Sequence, residues 1–147
     1  MTISIGSDHA GYAYKEELKS MLAALGHDVV DVGTESEDSV DYPDYGAAAA
    51  ALVRDSRADY AVLICGSGIG ISIAANKVQG IRAANCTSVE MAQLARQHND
   101  ANVVAVGQRL VSLELAKDIV AAFLSTPLEG GRHQRRIDKL NSAGEQP

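Results

Sequence analysis

Ala61-Val-Leu-Ile-Cys65-Gly-Ser-Gly-Ile-Gly70 runs from five apolar residues straight into a turn with three glycines. An unbroken apolar run this short predicts a strand buried on both faces, as parallel sheets require. The glycines predict a tight turn that opens a helix, continuing to about Lys77. Outward from this unit the alternation repeats. Ile3–Ile5 reads as a strand ending at Gly6, and Leu18, Met21, Leu22 and Leu25 recur at helical spacing before a stop at Gly26. Val29–Val32 is a second strand closed by Gly33. The acidic stretch Thr34–Asp44 is a loop, and Pro43 opens a helix through Ala47–Val53. Downstream lie a strand at Ile81–Cys86, a helix to about His98 whose Thr87 and Glu90 have capping-box spacing, and a strand at Val103–Val106. Leu113–Leu124 is a further helix, and Pro127, Gly130 and Gly131 separate it from a basic helix, Arg132 to about Asn141. Repeated right-handed β-α-β units predict an α/β fold: a three-layer α/β/α sandwich around a five-stranded parallel, Rossmann-like sheet, with an extra C-terminal helix. One domain over residues 1–147 is expected, with 142–147 as a frayed tail.

Composition narrows the function. The chain has 147 residues, 46% of them apolar but only 4% aromatic, so its core is aliphatic. A net charge of −6 argues against a nucleic-acid partner or a membrane-surface role, both of which select a basic face. No apolar run approaches the ~20 residues that span a bilayer, and no basic-then-apolar leader opens the chain. Cys65 and Cys86 do not make a disulfide framework. A cytoplasmic protein is expected.

In parallel α/β sheets ligands bind beyond the carboxyl ends of the strands. The polar residues cluster there: Asp8 and His9 after the first strand, Cys65 after the third, His98 and Asn99 just before the fifth, Arg109 after it. The turn Gly66-Ser67-Gly68-Ile69-Gly70 can point backbone N–H groups at an anion, assisted by the helix N-terminus. A plain strand-to-helix turn is the bland alternative. A dinucleotide fingerprint fits less well, because G-x-G-x-x-G counted from Gly66 needs a glycine where Ile71 stands. A thiol beside a helix N-terminus favours its reactive form, which singles out Cys65, whereas Cys86 reads as a small buried apolar residue. Arg132 and Arg136, four apart, share a helix face, as a solvated basic stripe or as a phosphate clamp. His9 and His98 suit general acid–base work. No zinc spacing such as C-x₂-C or H-E-x-x-H occurs, so neither metal nor cofactor is expected.

Five segments match one pattern in order: Gly6-Ser-Asp-His-Ala-Gly11, Asp41-Tyr-Pro43, Cys65-Gly-Ser-Gly-Ile-Gly-Ile-Ser-Ile-Ala-Ala-Asn-Lys77, Arg96-Gln-His-Asn-Asp100 and Gly130-Gly-Arg-His-Gln-Arg-Arg136. Over residues 3–140 the chain resembles the type B ribose-5-phosphate isomerases, a family that includes allose- and galactose-6-phosphate isomerases. The resemblance implies a cofactor-free interconversion of ribose 5-phosphate and ribulose 5-phosphate. Cys65 resembles the base that takes the sugar C2 proton, and Gly66–Gly70, Ile69 included, with the Ser67 hydroxyl would hold the enediolate oxygens. His98 resembles the ring-opening residue, assisted by Asp8. His9, Arg109, Arg132 and Arg136 resemble the phosphate ligands, and Tyr42 and Asn99 line the sugar. A homodimer with active sites shared between subunits is implied, and two dimers can associate further. One branch of the family carries Glu where this chain has Ile71; the presence of Cys65 places the chain with the cysteine branch.

Three other readings compete. A six-carbon sugar phosphate would keep the mechanism and change the substrate. Galactose-6-phosphate isomerases divide the residues between two different chains, whereas this chain carries the full set. A non-catalytic sugar-phosphate-binding module has no use for Cys65 and His98 together. A redox role would need Cys65 and Cys86 close in space.

Overall fold

The alternation of aliphatic strands and helices folds as a parallel α/β sandwich in the computed structural model, which describes residues 1–144. Five strands, β1 (Thr2–Ser7), β2 (Asp28–Asp31), β3 (Tyr60–Cys65), β4 (Ala83–Asn85) and β5 (Val103–Gly107), pair in the order β2-β1-β3-β5-β4, all parallel. The helices are α1 (Tyr12–Ala24), α2 (Tyr42–Arg54), α3 (Ile69–Asn76), α4 (Val89–Asn99), α5 (Leu113–Ser125) and α6 (His133–Ser142).

Period-two alternation sorts the strand side chains into two layers. Ile3, Ile5, Val62, Ile64, Val104 and Val106 pack on α1, α4 and α5 through Leu18, Leu22, Ala92, Ile119 and Phe123. Ala61, Leu63, Cys65, Val103 and Ala105 face the other way, against Ala49 and Ala50 of α2 and Ile71 and Ala75 of α3. Direction of travel decides which face each helix takes. The outward steps β2→β3 and β3→β4 carry α2 and α3 on one face, and the reverse steps β1→β2 and β4→β5 carry α1 and α4 on the other. A single crossover hand requires this. The chain leaves in opposite directions from β1 and β3, which opens a crevice at their carboxyl ends.

Several expected boundaries shift. The edge strand β4 keeps three residues of Ile81–Cys86, and β2 starts at Asp28, although Val32 N–H still donates to Ile5 O at 3.0 Å. Asp44 belongs to α2, not to the loop before it. The N-cap of α4 is Ser88, not Thr87: Ser88 Oγ accepts from Met91 N–H at 3.1 Å, while the Thr87 hydroxyl turns to Met91 Sδ at 3.3 Å. Ser142, expected in the tail at 142–147, closes α6 instead, and residues 145–147 lie outside the described part. Lys15, on α1, is fully buried, with Nζ 2.6 Å from Asp31 Oδ2 and 3.2 Å from Glu16 Oε1, so a paired charge ties α1 to β2. Among the described residues no helix is long and apolar enough to cross a membrane.

Candidate active site

The crevice beyond β1, β3 and β5 is a cleft of about 630 Å³ lined by Asp8, His9, Tyr42, Cys65, Gly66, Ser67, Ile69, Gly70 and Arg109. Nine of the expected site residues therefore meet here, brought together because each follows a strand or opens the next helix.

Cys65 ends β3, where its register partner is Gly107 of β5. Its side chain is on the α2–α3 side of the sheet and almost wholly buried, yet its sulfur reaches the cleft floor. Gly68 N–H donates to Cys65 Sγ at 3.1 Å. Gly68 can do this because its φ is +78°, a conformation that a side chain resists. An added Cβ there would also lie 2.3 Å from Asn85 Oδ1. The Ser67 hydroxyl accepts from Ile69 N–H at 3.2 Å, which leaves its proton for a ligand oxygen. Helix α3 starts at Ile69, so its first N–H groups and the positive end of its dipole face the thiol. Gly70 allows a second close approach: a Cβ there would meet the Tyr42 ring at 2.5 Å. Tyr42 can therefore lie over the turn.

Asp8 is buried, and its Oδ1 accepts from Gly11 N–H at 3.0 Å. His9 Nδ1 lies 3.1 Å from Val40 N and 3.2 Å from Val40 O; in the tautomer where Nδ1 accepts from Val40 N–H, Nε2 carries the proton and can donate to an anion. Arg109 is exposed on the rim, with its guanidinium beside Gly66. Leu110, Ile69 and Ile73 surround the cleft with apolar side chains that are 61%, 53% and 54% exposed. Leu110 and Ile73 were not expected from the sequence, although both sit within one turn of residues that were.

His98, Asn99, Arg132 and Arg136 lie elsewhere. His98 and Asn99, expected at the carboxyl edge, instead close α4, just before Asn102 and the first residue of β5. Arg82, next to β4's first residue, donates from Nε to Asn99 O at 3.1 Å, so this is the amino edge. Cys65 is level with the last residue of β5, a strand of about 16 Å. Asn99 borders a different hollow, with Arg82, Ala101 and Leu140. Arg132, the N-cap residue of α6, and Arg136 within that helix are exposed, and α6 packs on α4. Cys65 and Cys86 are both free, and β5 separates the strands they follow, so the redox reading has no support. Burial pushes the Cys86 thiol up to about 11. Pattern-based reading also passed over a group formed by His98, Glu129 and His133, whose ligating atoms lie within 4.8 Å of one another.

A buried thiol beside a helix N-terminus, at the switch point of a parallel sheet and with the Arg109 guanidinium on the rim, defines a small α/β protein built to act on an anionic ligand. The ribose/galactose isomerase family model matches residues 3–140, and the chain belongs to that family. It is 49% identical over 140 residues to Escherichia coli ribose-5-phosphate isomerase B, covering 95% of this chain and 94% of that one. The Clostridium thermocellum ribose-5-phosphate isomerase B structure is 51% identical, with a TM-score of 0.96 and coverage of 97% and 96%. The Mycoplasma genitalium enzyme, solved with bound ribulose-5-phosphate, is 41% identical, with a TM-score of 0.94 and coverage of 99% and 97%.

Proposed function

We propose that this chain is an aldose–ketose isomerase that interconverts ribose 5-phosphate and ribulose 5-phosphate, with Cys65 as the base. The observation that carries the proposal is the contact of Cys65 Sγ with Gly68 N–H inside the cleft, which puts a thiol and an anion-holding turn at one point. The relatives' names support the substrate.

The chemistry needs three things, and the cleft offers each. The Cys65 thiolate takes the proton from C2 of the open-chain aldose. The electron pair moves into the C1–C2 bond, and the carbonyl oxygen becomes an enediolate oxygen. The N–H groups of the Gly66–Gly70 turn other than those of Gly68 and Ile69, which bond Cys65 Sγ and Ser67 Oγ, hold that charge with the Ser67 hydroxyl, a contribution of about 3–4 kcal/mol per well-placed donor. The proton on O2 passes to O1, Cys65 returns its proton to C1, and C2 becomes the carbonyl carbon of the ketose. His9 and Arg109 anchor the phosphate, and its remote binding energy holds the reacting carbon over the sulfur. The chemistry requires neither metal nor redox cofactor.

Ring opening and the rest of the phosphate clamp come from a second copy of the chain. His98, Asn99, Arg132 and Arg136 sit too far from Cys65 to serve the same cleft, and the exposed Ile69, Ile73 and Leu110 around it offer an apolar surface for a partner. In the homodimer the α4–α6 end of one protomer covers the cleft of the other. His98 there acts on the ring oxygen, and Asp8 assists at the anomeric hydroxyl.

The test is turnover of ribose 5-phosphate beside allose 6-phosphate, using metal-free protein and its Cys65→Ala variant. Pentose turnover that the variant loses, with sugar-phosphate binding kept, is expected. Turnover on the hexose alone would change the substrate, and an active variant would remove Cys65 as the base. Mixing Cys65→Ala with His98→Ala chains should restore part of the activity. No recovery after verified subunit exchange would place each site within one chain.

A further inference from the structure

His98, His133 and Glu129 stand outside the cleft of their own chain and converge from three segments. His98 is in the last turn of α4, and His133 opens α6. Glu129 is fixed beside them because its N–H donates to Gln97 O at 3.0 Å. The rings of His98 and His133 stack with centroids 4.2 Å apart and planes 15° from parallel. Both Nε2 atoms turn to the same carboxylate: His133 Nε2 is 3.5 Å from Glu129 Oε1, and His98 Nε2 is 3.9 Å from Glu129 Oε2. Neither contact is a hydrogen bond. His133 is 93% buried, at 7% exposure, and its Nε2 has no hydrogen-bond partner. A buried ring nitrogen without a partner, aimed at a carboxylate it does not reach, is costly unless something fills the gap.

We propose that His98, His133 and Glu129 form a binding site for a Zn²⁺ ion, with a fourth position left for a water molecule. In tetrahedral Zn²⁺ sites with bonds of about 2.0–2.1 Å, neighbouring ligand atoms lie about 3.3 Å apart. The two imidazole–carboxylate gaps, 3.5 and 3.9 Å to different oxygens, are near that spacing, and the donor set as a whole, within 4.8 Å, must draw inward to reach it. The rings must also splay, because a metal bonds in the plane of each imidazole. His98 supplies that movement: its side chain is 37% exposed, and its ring makes no hydrogen bond among the described residues. Two imidazoles and one carboxylate are a borderline-soft donor set that selects Zn²⁺ over Mg²⁺ or Ca²⁺. Glu129 and His133 are four residues apart, joined through the glycines Gly130 and Gly131 at φ +75° and +58°. The motif therefore spans a loop and a helix start rather than one helix. A bound ion makes His98 Nε2 a ligand and takes it out of the ring-opening role, so Zn²⁺ bound here inhibits isomerisation. That consequence rests on the proposed function, whereas binding does not.

Zn²⁺ titration of the metal-stripped full chain, by calorimetry and by competition with a chromogenic chelator, reads the site directly. One ion per chain is expected, held equally by the thiol-free Cys65→Ala/Cys86→Ala chain and weakened about tenfold or more in Glu129→Gln. Glu129 is half-exposed, so that variant keeps the fold; His133→Asn, checked by its melting curve, gives a second loss. Co²⁺ in the same site should show visible bands without thiolate charge transfer. Absence of binding in the thiol-free chain, or affinity unchanged in both Glu129→Gln and His133→Asn, would overturn the site. Zn²⁺ inhibition that persists in Glu129→Gln would overturn its link to His98.

Discussion

Replacing Gly68 with Ala tests the turn at the centre of the cleft. Two costs are separable. The φ of +78° carries about 1–2 kcal/mol for any residue with a Cβ. The Cβ would also lie 2.3 Å from Asn85 Oδ1 and 2.9 Å from the Val106 carbonyl carbon, an overlap worth about 1–3 kcal/mol once neighbours shift. Their sum, about 2–5 kcal/mol, predicts a Tm drop of about 4–20 °C for a domain of this size. Gly26→Ala isolates the first cost, since φ there is +91° and nothing lies within 4 Å of the added atom. That control should lose only about 2–8 °C. Asn85→Ala in the Gly68→Ala background should recover about 1 kcal/mol, because it removes the nearest clash and leaves only the 3.4 Å contact of Asn85 Nδ2 with Ser67 O unmade. Thermal melts of the four chains by circular dichroism decide it. Equal losses for Gly68→Ala and Gly26→Ala, or no coupling to Asn85, would refute the crowding. The same substitution shifts the N–H on Cys65 Sγ, so kcat should fall about 10²–10³-fold.

Other outcomes follow from the same geometry. Asp31→Asn leaves Lys15 buried with Glu16 alone, a loss of up to about 3–5 kcal/mol, or about 6–20 °C in Tm. Burial opposes the Asp31 charge, but hydrogen bonds from Lys15, Gly33 N–H and Lys19 outweigh it and hold the carboxyl below 3.8. Its stabilisation is present above that pH and lost as pH falls through the lower folded value. Melts below about pH 4 should therefore decline less steeply in Asp31→Asn than in the parent, and parallel curves would refute the pairing. With the Cys86 thiol pushed up to about 11, about one in a thousand is ionised at pH 8, so a thiol reagent should label at most Cys65 before denaturant is added. Arg132→Ala should raise KM for the sugar phosphate, and an unchanged substrate-saturation curve would remove Arg132 from the clamp.

The central strands were legible because burial on both faces writes itself as uninterrupted aliphatic runs: β3 and β5 match their expected spans to one residue at either end. Edge strands lack that constraint, and β4 lost half its expected length where only one neighbour pairs with it. At the start of α4, Thr87 and Ser88 are adjacent hydroxyl residues, and each has an N–H three residues on to cap. The choice of Ser88 follows from the frame that buries Ala92 and Ala95, a tertiary fact. The thiol and its glycine turn were legible because residue type and position coincide. Lys15 was not, because a buried lysine between acidic residues reads like any exposed helical charge until Asp31 arrives from another element.

His98 shows where proximity in sequence misleads. A residue just before a strand belongs to that strand's amino end, and helices of a parallel sheet run against the strands, so the last turn of α4 lies at the amino edge. The sequence therefore marks His98 as a titratable group without giving its edge of the sheet. Cys65 and His98 at opposite edges of one sheet are of no use to each other within a chain, however apt each is for an isomerase. Two copies related by a twofold axis remove the conflict, because each presents a carboxyl-edge cleft to the other's amino-edge histidine and arginines. On that reading the exposed Ile69, Ile73 and Leu110 are interface residues of a shared site. If acid and base meet only in an assembled dimer, dilution below its dissociation constant should abolish turnover while every chain remains folded; turnover that survives such dilution would refute the shared site.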